Sequence, residues 1–197
     1  MERTIDLLRH GEPLGGRKYR GQTDDPLTEN GWAQMWAAVG DNRPWRRIVT
    51  SPLTRCAEFA DALAEATGLT AERDERLVEV GYGSWAGKTP DALASEDPEG
   101  FAAFRADPWN NRPADAESME AFTRRVLTAY REHEAGSGDP LLIVAHAGVI
   151  RTVIADTLGM PLPNLYRLHL PYAARVHLHG TVTNTRICHM APTPPAL

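Results

Sequence analysis

The stretch Pro140–Gly159, "PLLIVAHAGVIRTVIADTLG", decides the fold. Leu141 to Ala145 form a near-continuous apolar run. A strand with one wet face would alternate, so a strand apolar on both faces belongs at the centre of a parallel sheet with helices above and below. Immediately after His146, "GVIRTVIADTLG" changes to the spacing of a helix. A buried strand, a polar residue and then a helix make the repeating unit of an α/β domain.

Working outward, "TIDLL" (4–8) and "RIVT" (47–50) read as two more strands that run into polar turns. "LTENGWAQMWAAVG" (27–40) is a helix, with Thr28 as its N-cap, Trp32, Met35, Trp36 and Val39 on one stripe, and Gly40 closing it. Ser51 is expected to cap a second helix with Pro52 at its first position, running through Leu53, Cys56, Phe59 and Leu63 to Gly68. "LTAER" (69–73) follows as a short extended piece, and "ESMEAFTRRVLTAYREHEAG" (117–136) is helical through Met119, Phe122, Val126 and Tyr130. "RLHLPYAARVHLH" (167–179) alternates as a late antiparallel pair, and the tail "APTPPAL" reads as loose. The segment from about 81 to 116 is rich in Gly, Pro, Asp and Trp, and reads as an insertion that shapes a pocket. These elements predict a single domain over 1–197, a three-layer αβα sandwich with a mostly parallel central sheet.

Composition narrows the function classes. A chain of 197 residues with 42% hydrophobic residues can bury a proper core. No apolar run approaches the roughly 20 residues of a membrane span, and "MERTIDLLRH" is too short and too quickly charged for a secretory signal. Two cysteines, Cys56 and Cys188, do not make a disulfide framework, so a reducing cytoplasm is the expected compartment. The net charge of −5 argues against nucleic-acid binding and against a broad basic face. An anionic ligand would need a local cluster of arginines.

In α/β sheets ligands gather at the carboxyl ends of strands, and Arg9, His10, Ser51 and His146 all fall there. Gly11 lets the chain turn closely after His10, and Ala147 and Gly148 open a helix whose first N–H groups suit an anion. Arg9 and Arg55 supply guanidinium forks for phosphate oxygens, and Glu79 supplies a carboxyl in "RLVEVGYGSWAG". Two histidines, two arginines and a glutamate are a workable set for phosphoryl transfer without a metal or other cofactor: an imidazole to attack phosphorus, cations to hold the oxygens, a carboxyl to protonate the departing alkoxide. Each residue alone has an ordinary structural reading, and only their joint occurrence favours chemistry.

Four blocks in order, "LLRHGEP" (7–13), "GQTDDPLTENG" (21–31), "SPLTRCAEFA" (51–60) and "VAHAGVIR" (144–151), together with "LVEVGYGSWAG" (77–87), resemble the histidine phosphatase superfamily, the phosphoglycerate-mutase-like fold. The resemblance covers most of the chain up to the late strands. It implies that His10 is a nucleophile that becomes phosphohistidine and that Glu79 is general acid and then base. It further implies that Arg9, Arg55, His146 and the Ala147 N–H hold the phosphoryl group, and that Arg20, Gly21 and Gln22 meet substrate. Two departures stand out. Gly16 occupies the place of an asparagine common six residues after the nucleophile, leaving Arg17, Lys18 or Arg20 to replace that contact, and "WEG" reads Trp85-Ala86-Gly87.

The short chain favours a phosphatase over a mutase, which needs a closed lid to keep water from its phosphoenzyme. Within the superfamily the blocks are most similar to the α-ribazole phosphatases of cobalamin biosynthesis, which implies a small phosphorylated metabolite as partner. Broad sugar-phosphate phosphatases and phosphoglycerate mutases are the alternatives, and a catalytically silent phospho-ligand binder is a further one. Trp85, Phe101, Phe104 and Trp109 either wall the pocket against a flat base or pack the insertion onto the domain, with packing preferred. His177 and His179 alternate beside His169 and His189, but a solvated strand face is preferred over a metal site. The exposed late strand pair is suited to a homodimer.

Overall fold

The computed structural model describes residues 2–136, 138–181 and 184–191. A six-stranded sheet organises them, built from β1 (Arg3–Arg9), β2 (Arg47–Thr50), β3 (Ala71–Arg73), β4 (Leu141–Ala145), β5 (Arg175–Thr181) and β6 (Asn184–Ala191) in the spatial order β3-β2-β4-β1-β5-β6. β3, β2, β4 and β1 pair in parallel, β5 runs antiparallel to β1, and β6 antiparallel to β5. The fold is thus the expected α/β sandwich with a mostly parallel sheet. β4 lies between β2 and β1, and all five of its residues are buried, as its unbroken apolar run requires.

The two faces separate by the alternation of the strands. Ile5, Leu7, Ile143 and Ala145 join α5 (Met119–Glu134) and α6 (Ala147–Thr157) in one core. Leu8, Ile48, Leu142 and Val144 join α1 (Glu29–Val39) and α2 (Thr54–Thr67) in the other. Thr28 caps α1 as expected, accepting from the Gly31 N–H at 2.9 Å, and Gly40 closes it in a left-handed turn. Ser118 caps α5 in the same manner.

Two expectations are corrected. Ser51 does not cap α2, which begins at Thr54. The cap comes from a distant loop, where Asp24 accepts from the Thr54 N–H at 2.6 Å and from its hydroxyl at 2.7 Å. Ser51 is freed for another role. Second, 167–174 are not strand: the segment leaves a 3-10 turn (Leu162–Arg167) and loops back under β1, and the antiparallel pair is β5 with β6. Pro171, which lacks an N–H, is the local reason. The preferred reading of the aromatic residues holds: Trp85, Phe101 and Phe104 are buried in a cluster with Leu93, packing α3 (Pro90–Glu96) and α4 (Pro98–Ala106) onto the domain, and none of the three lines the cavity beside His10.

Among the described residues no helix is long and apolar enough to cross a membrane. Both cysteines are free, Cys56 buried and Cys188 exposed. Residues 192–197 of the tail lie outside the described residues.

Candidate active site

β1 ends at Arg9 and delivers His10 to the carboxyl edge of the sheet, 5% exposed. Its Nδ1 lies 2.7 Å from the Gly11 carbonyl. A carbonyl can only accept, so Nδ1 carries the proton and Nε2 keeps its lone pair. Burial, then the fields of Arg9 and Arg55, hold the imidazole well below the usual 6.5, so it is neutral. The ring is thus fixed as an acceptor, the form a nucleophile needs.

His146 follows β4 and is fully buried, its ring centroid 5.3 Å from that of His10. Its Nε2 is 2.7 Å from Ser51 Oγ, which is where the hydroxyl released from capping goes. Burial and Arg55 keep this second imidazole neutral as well. Cys56 packs against the ring at 3.7 Å, and burial pushes its thiol up to about 12, so it serves as an apolar neighbour.

Arg55 is 1% exposed, the second residue of α2, and donates to the Thr23 and Gly21 carbonyls at 2.7 and 2.8 Å. Arg9 donates to the Leu170 carbonyl and lies over the Tyr172 ring, 4.3 Å from its centroid. Burial pulls its guanidinium down to about 10. The Nε of each arginine is buried with no hydrogen-bond partner, and neither makes an ion pair among the described residues. Two guanidinium groups, Arg55 buried and Arg9 half-buried, neither ion-paired among the described residues, form a receptor for an anion.

Glu79 lines the same cavity. Its Oε1 accepts from the Val80 N–H at 3.0 Å and its Oε2 from the Gly148 N–H at 3.1 Å. A Cβ on Gly148 would lie 2.2 Å from Oε1, so only glycine leaves this carboxyl its place. Arg125 gathers the backbone beneath it, donating to the Arg76, Val78 and Glu79 carbonyls and forking onto Glu117 at 2.7 and 2.8 Å. Sequence reasoning read the helix of Arg125 by its apolar stripe and gave this arginine no role. Nothing in its spacing distinguishes this arginine from a surface one.

The cavity, about 580 Å³, brings together Arg9, His10, Arg20, Gly21, Arg55, Glu79 and Ala147. His146 stands behind its surface. Arg20 lines the wall, but its Nε is paired to Asp25 at 3.0 Å and its Nη2 holds the Leu14 and Gly16 carbonyls, so it braces the loop. Lys18 shares Asp25 at 2.8 Å. Of the three basic residues expected to replace the missing asparagine, Arg17 alone makes no ion pair among the described residues. Gly15 and Gly16 both adopt left-handed backbone, at φ 85 and 67. Gln22 does not line the cavity, because its amide turns to the Glu79 carbonyl at 3.3 Å. Sequence reasoning gave no role to Tyr19, Tyr82, Arg151 and Tyr172, which do line it, although Tyr82 lies in "LVEVGYGSWAG" and Arg151 closes "VAHAGVIR". His169 also lines it, away from His177, whose Nδ1 is 2.9 Å from Asp6. Among the described residues no three His, Cys, Asp or Glu side chains converge as metal ligands.

Residues 5–191 match the model of the histidine phosphatase superfamily, branch 1. The chain is 32% identical over 169 residues to the adenosylcobalamin/α-ribazole phosphatase of Salmonella typhimurium, covering 83% of this chain and 84% of that one. It is 34% identical over 175 residues to the glucosyl-3-phosphoglycerate phosphatase of Mycobacterium tuberculosis, covering 82% and 78%. A crystal structure of a mycobacterial glucosyl-3-phosphoglycerate phosphatase with inorganic phosphate superposes with a TM-score of 0.82 at 29% identity, covering 98% of this chain and 97% of that one. The chain spans about half, 48%, of the length of a bifunctional M. tuberculosis protein that it matches at 34% identity.

Proposed function

We propose, on the premise that the chain belongs to the histidine phosphatase superfamily, that it is a phosphomonoesterase acting on a small phosphorylated metabolite through a phosphohistidine. The observation that carries the reading is the state of His10. It is neutral, protonated on Nδ1 by the Gly11 contact, and set beside two guanidinium groups, Arg9 and Arg55, whose Nε atoms have no hydrogen-bond partner.

In the first step Nε2 of His10 attacks phosphorus. The P–N bond forms as the ester P–O bond breaks, and Glu79 in its acid form gives its proton to the departing alkoxide. Arg9 and Arg55 hold the equatorial oxygens, where negative charge persists through the transition state. The Ala147 N–H, at the first position of α6, adds the favourable end of a helix dipole. In the second step the Glu79 carboxylate takes a proton from water, the water oxygen attacks phosphorus, and the P–N bond breaks to release inorganic phosphate and neutral His10. His146 packs behind the nucleophile with Ser51 fixing its ring, and so keeps the floor rigid and dry.

Arg20 and Gly21 act here as the frame of the substrate loop. The compounds named in two relatives, α-ribazole 5′-phosphate and glucosyl-3-phosphoglycerate, are the first esters to assay, with 3-phosphoglycerate to separate phosphate release from isomerisation. The test is hydrolysis of p-nitrophenyl phosphate in the presence of EDTA, with trapping of an acid-labile phosphoprotein. Expected are turnover and label in the native protein and neither in His10→Ala. Turnover that survives His10→Ala would sink the covalent mechanism.

A further inference from the structure

The phosphoryl cavity does not end at the loop of Gly16. Arg17, Tyr19, Tyr82 and Arg151 line both it and a second cavity of about 770 Å³, so the two are contiguous. Arg105, from the last turn of α4, and Arg167, from the 3-10 turn before β5, complete the second one. Four guanidinium groups therefore converge on one outer cavity in a chain whose net charge is −5. None of the four is ion-paired among the described residues.

A random solvated surface of this chain would carry more carboxylates than cations. The one carboxylate lining this cavity among the described residues is Asp107, and its oxygens accept from the Asn110 N–H and side-chain amide and from the Trp109 N–H. It does not neutralise the arginines. Burial pushes the Tyr19 phenol up while Arg17 and Arg105 both pull against it, so the two charges act on the wall between the cavities. Arg151 is fixed by donation to the Leu168 carbonyl at 2.8 Å. It is close enough to Arg9 to oppose its charge, which ties the outer set electrostatically to the phosphoryl clamp.

From this geometry, and resting on the phosphomonoesterase reading, we infer a second anion subsite formed by Arg17, Arg105, Arg151 and Arg167. Substrates that carry a second anionic group on the alcohol side of the ester are selected over esters of neutral alcohols. A guanidinium fork reads a carboxylate and a phosphate equally well, so the shared chemistry is an anion presented away from the scissile phosphate. Arg105 and Arg167 line the outer cavity and not the phosphoryl one, so their part is the choice of substrate.

The experiment compares matched esters: 3-phosphoglycerate against glycerol 3-phosphate for a carboxylate, and fructose 1,6-bisphosphate against fructose 6-phosphate for a second phosphate. Both kcat/KM with the native chain and calorimetric binding to the non-turning-over His10→Ala chain are measured. The two-anion member is expected to win by about tenfold or more in at least one pair, beyond the doubling that two equivalent ester groups give. The pair that responds distinguishes carboxylate from phosphate. In the double variant Arg105→Gln/Arg167→Gln that ratio is expected to fall toward one, while Arg105→Lys/Arg167→Lys keeps most of it. Both arginines are exposed, so these variants leave the core intact. A ratio near one for both pairs in the native chain, or a ratio unmoved by the glutamine pair, overturns the subsite. Failure to hydrolyse any ester would instead sink the phosphatase reading, and the calorimetric ratio would still decide the subsite.

Discussion

Arg9 and Arg55 are built in the opposite way to Arg17, Arg105 and Arg167. Of the inner pair Arg55 is buried and Arg9 half-buried; both are anchored on backbone carbonyls and placed by α2 and β1. The outer three are exposed and come from a glycine-rich loop, the end of a short helix and a 3-10 turn. Buried charge is costly to hold, and a fold keeps it where one geometry must recur in every turnover. Exposed charge costs little and tolerates exchange, which suits the part of a site that discriminates among substrates. The difference teaches that reaction and selectivity reside in separate layers of this rim.

That division breaks or sharpens by experiment. The largest effect belongs to the nucleophile: His10→Ala is expected to lower kcat on p-nitrophenyl phosphate by about 10⁴-fold or more, with circular dichroism unchanged. Arg55→Ala should cost about 10³-fold. It should also abolish the rise in Tm that inorganic phosphate or vanadate gives the native protein. An Arg55→Ala chain that phosphate still stabilises would break the inner layer.

Glu79→Gln is expected to lose about 10²-fold or more on alkyl esters and distinctly less on p-nitrophenyl phosphate, whose leaving group needs no proton. Gly148→Ala, which drives a methyl into the Glu79 carboxyl, should copy that leaving-group dependence. Equal losses on both esters would remove Glu79 from the acid role.

Acid should act on both activity and stability. Because the folded protein holds His10 and His146 neutral well below 6.5, the acid limb of kcat/KM should lie well below 6.5 as well. The unfolded chain binds those protons first. Stability is therefore fully present above about 6.5 and falls as pH drops below it, which urea midpoints between about pH 7 and pH 5 would reveal. At the alkaline end, loss of the Arg9 proton should lower kcat/KM as pH rises toward 10. The smallest effect is expected of the outer layer, where added salt should weaken preference for a two-anion ester before it weakens turnover.

Much of the inner layer was legible in the sequence because strands and glycines announce themselves locally. The apolar run Leu141–Ala145 placed β4 at the centre, and the ends of β1 and β4 placed His10 and His146 on one rim. Ser51 was legible as an important polar residue but not in its role. Its hydroxyl accepts from the Leu53 N–H just ahead of α2 and meets the distant His146 imidazole, while Asp24, 30 residues away, caps the helix, and neither long-range contact is written in the local sequence. Arg125 and the outer arginines were hidden for a related reason. Whether an arginine such as Arg125 meets only water or gathers a site's backbone depends on contacts remote in sequence, here 46 residues away at the Glu79 carbonyl. The aromatic insertion resolved toward its own packing, with Trp85, Leu93, Phe101 and Phe104 buried together between its two helices and the domain.

β1 pairs with β4 on one edge and β5 on the other, so residues 3–9 find both partners more than 130 positions later. The chain can form most of its helices before that strand is seated, because closing so long a loop is entropically slow. His10 reaches its Gly11-bound, arginine-flanked position only when this last pairing is complete. In refolding from denaturant, helical signal should therefore recover ahead of phosphate binding, and the interval between the two measures how long the central strand takes to find its slot.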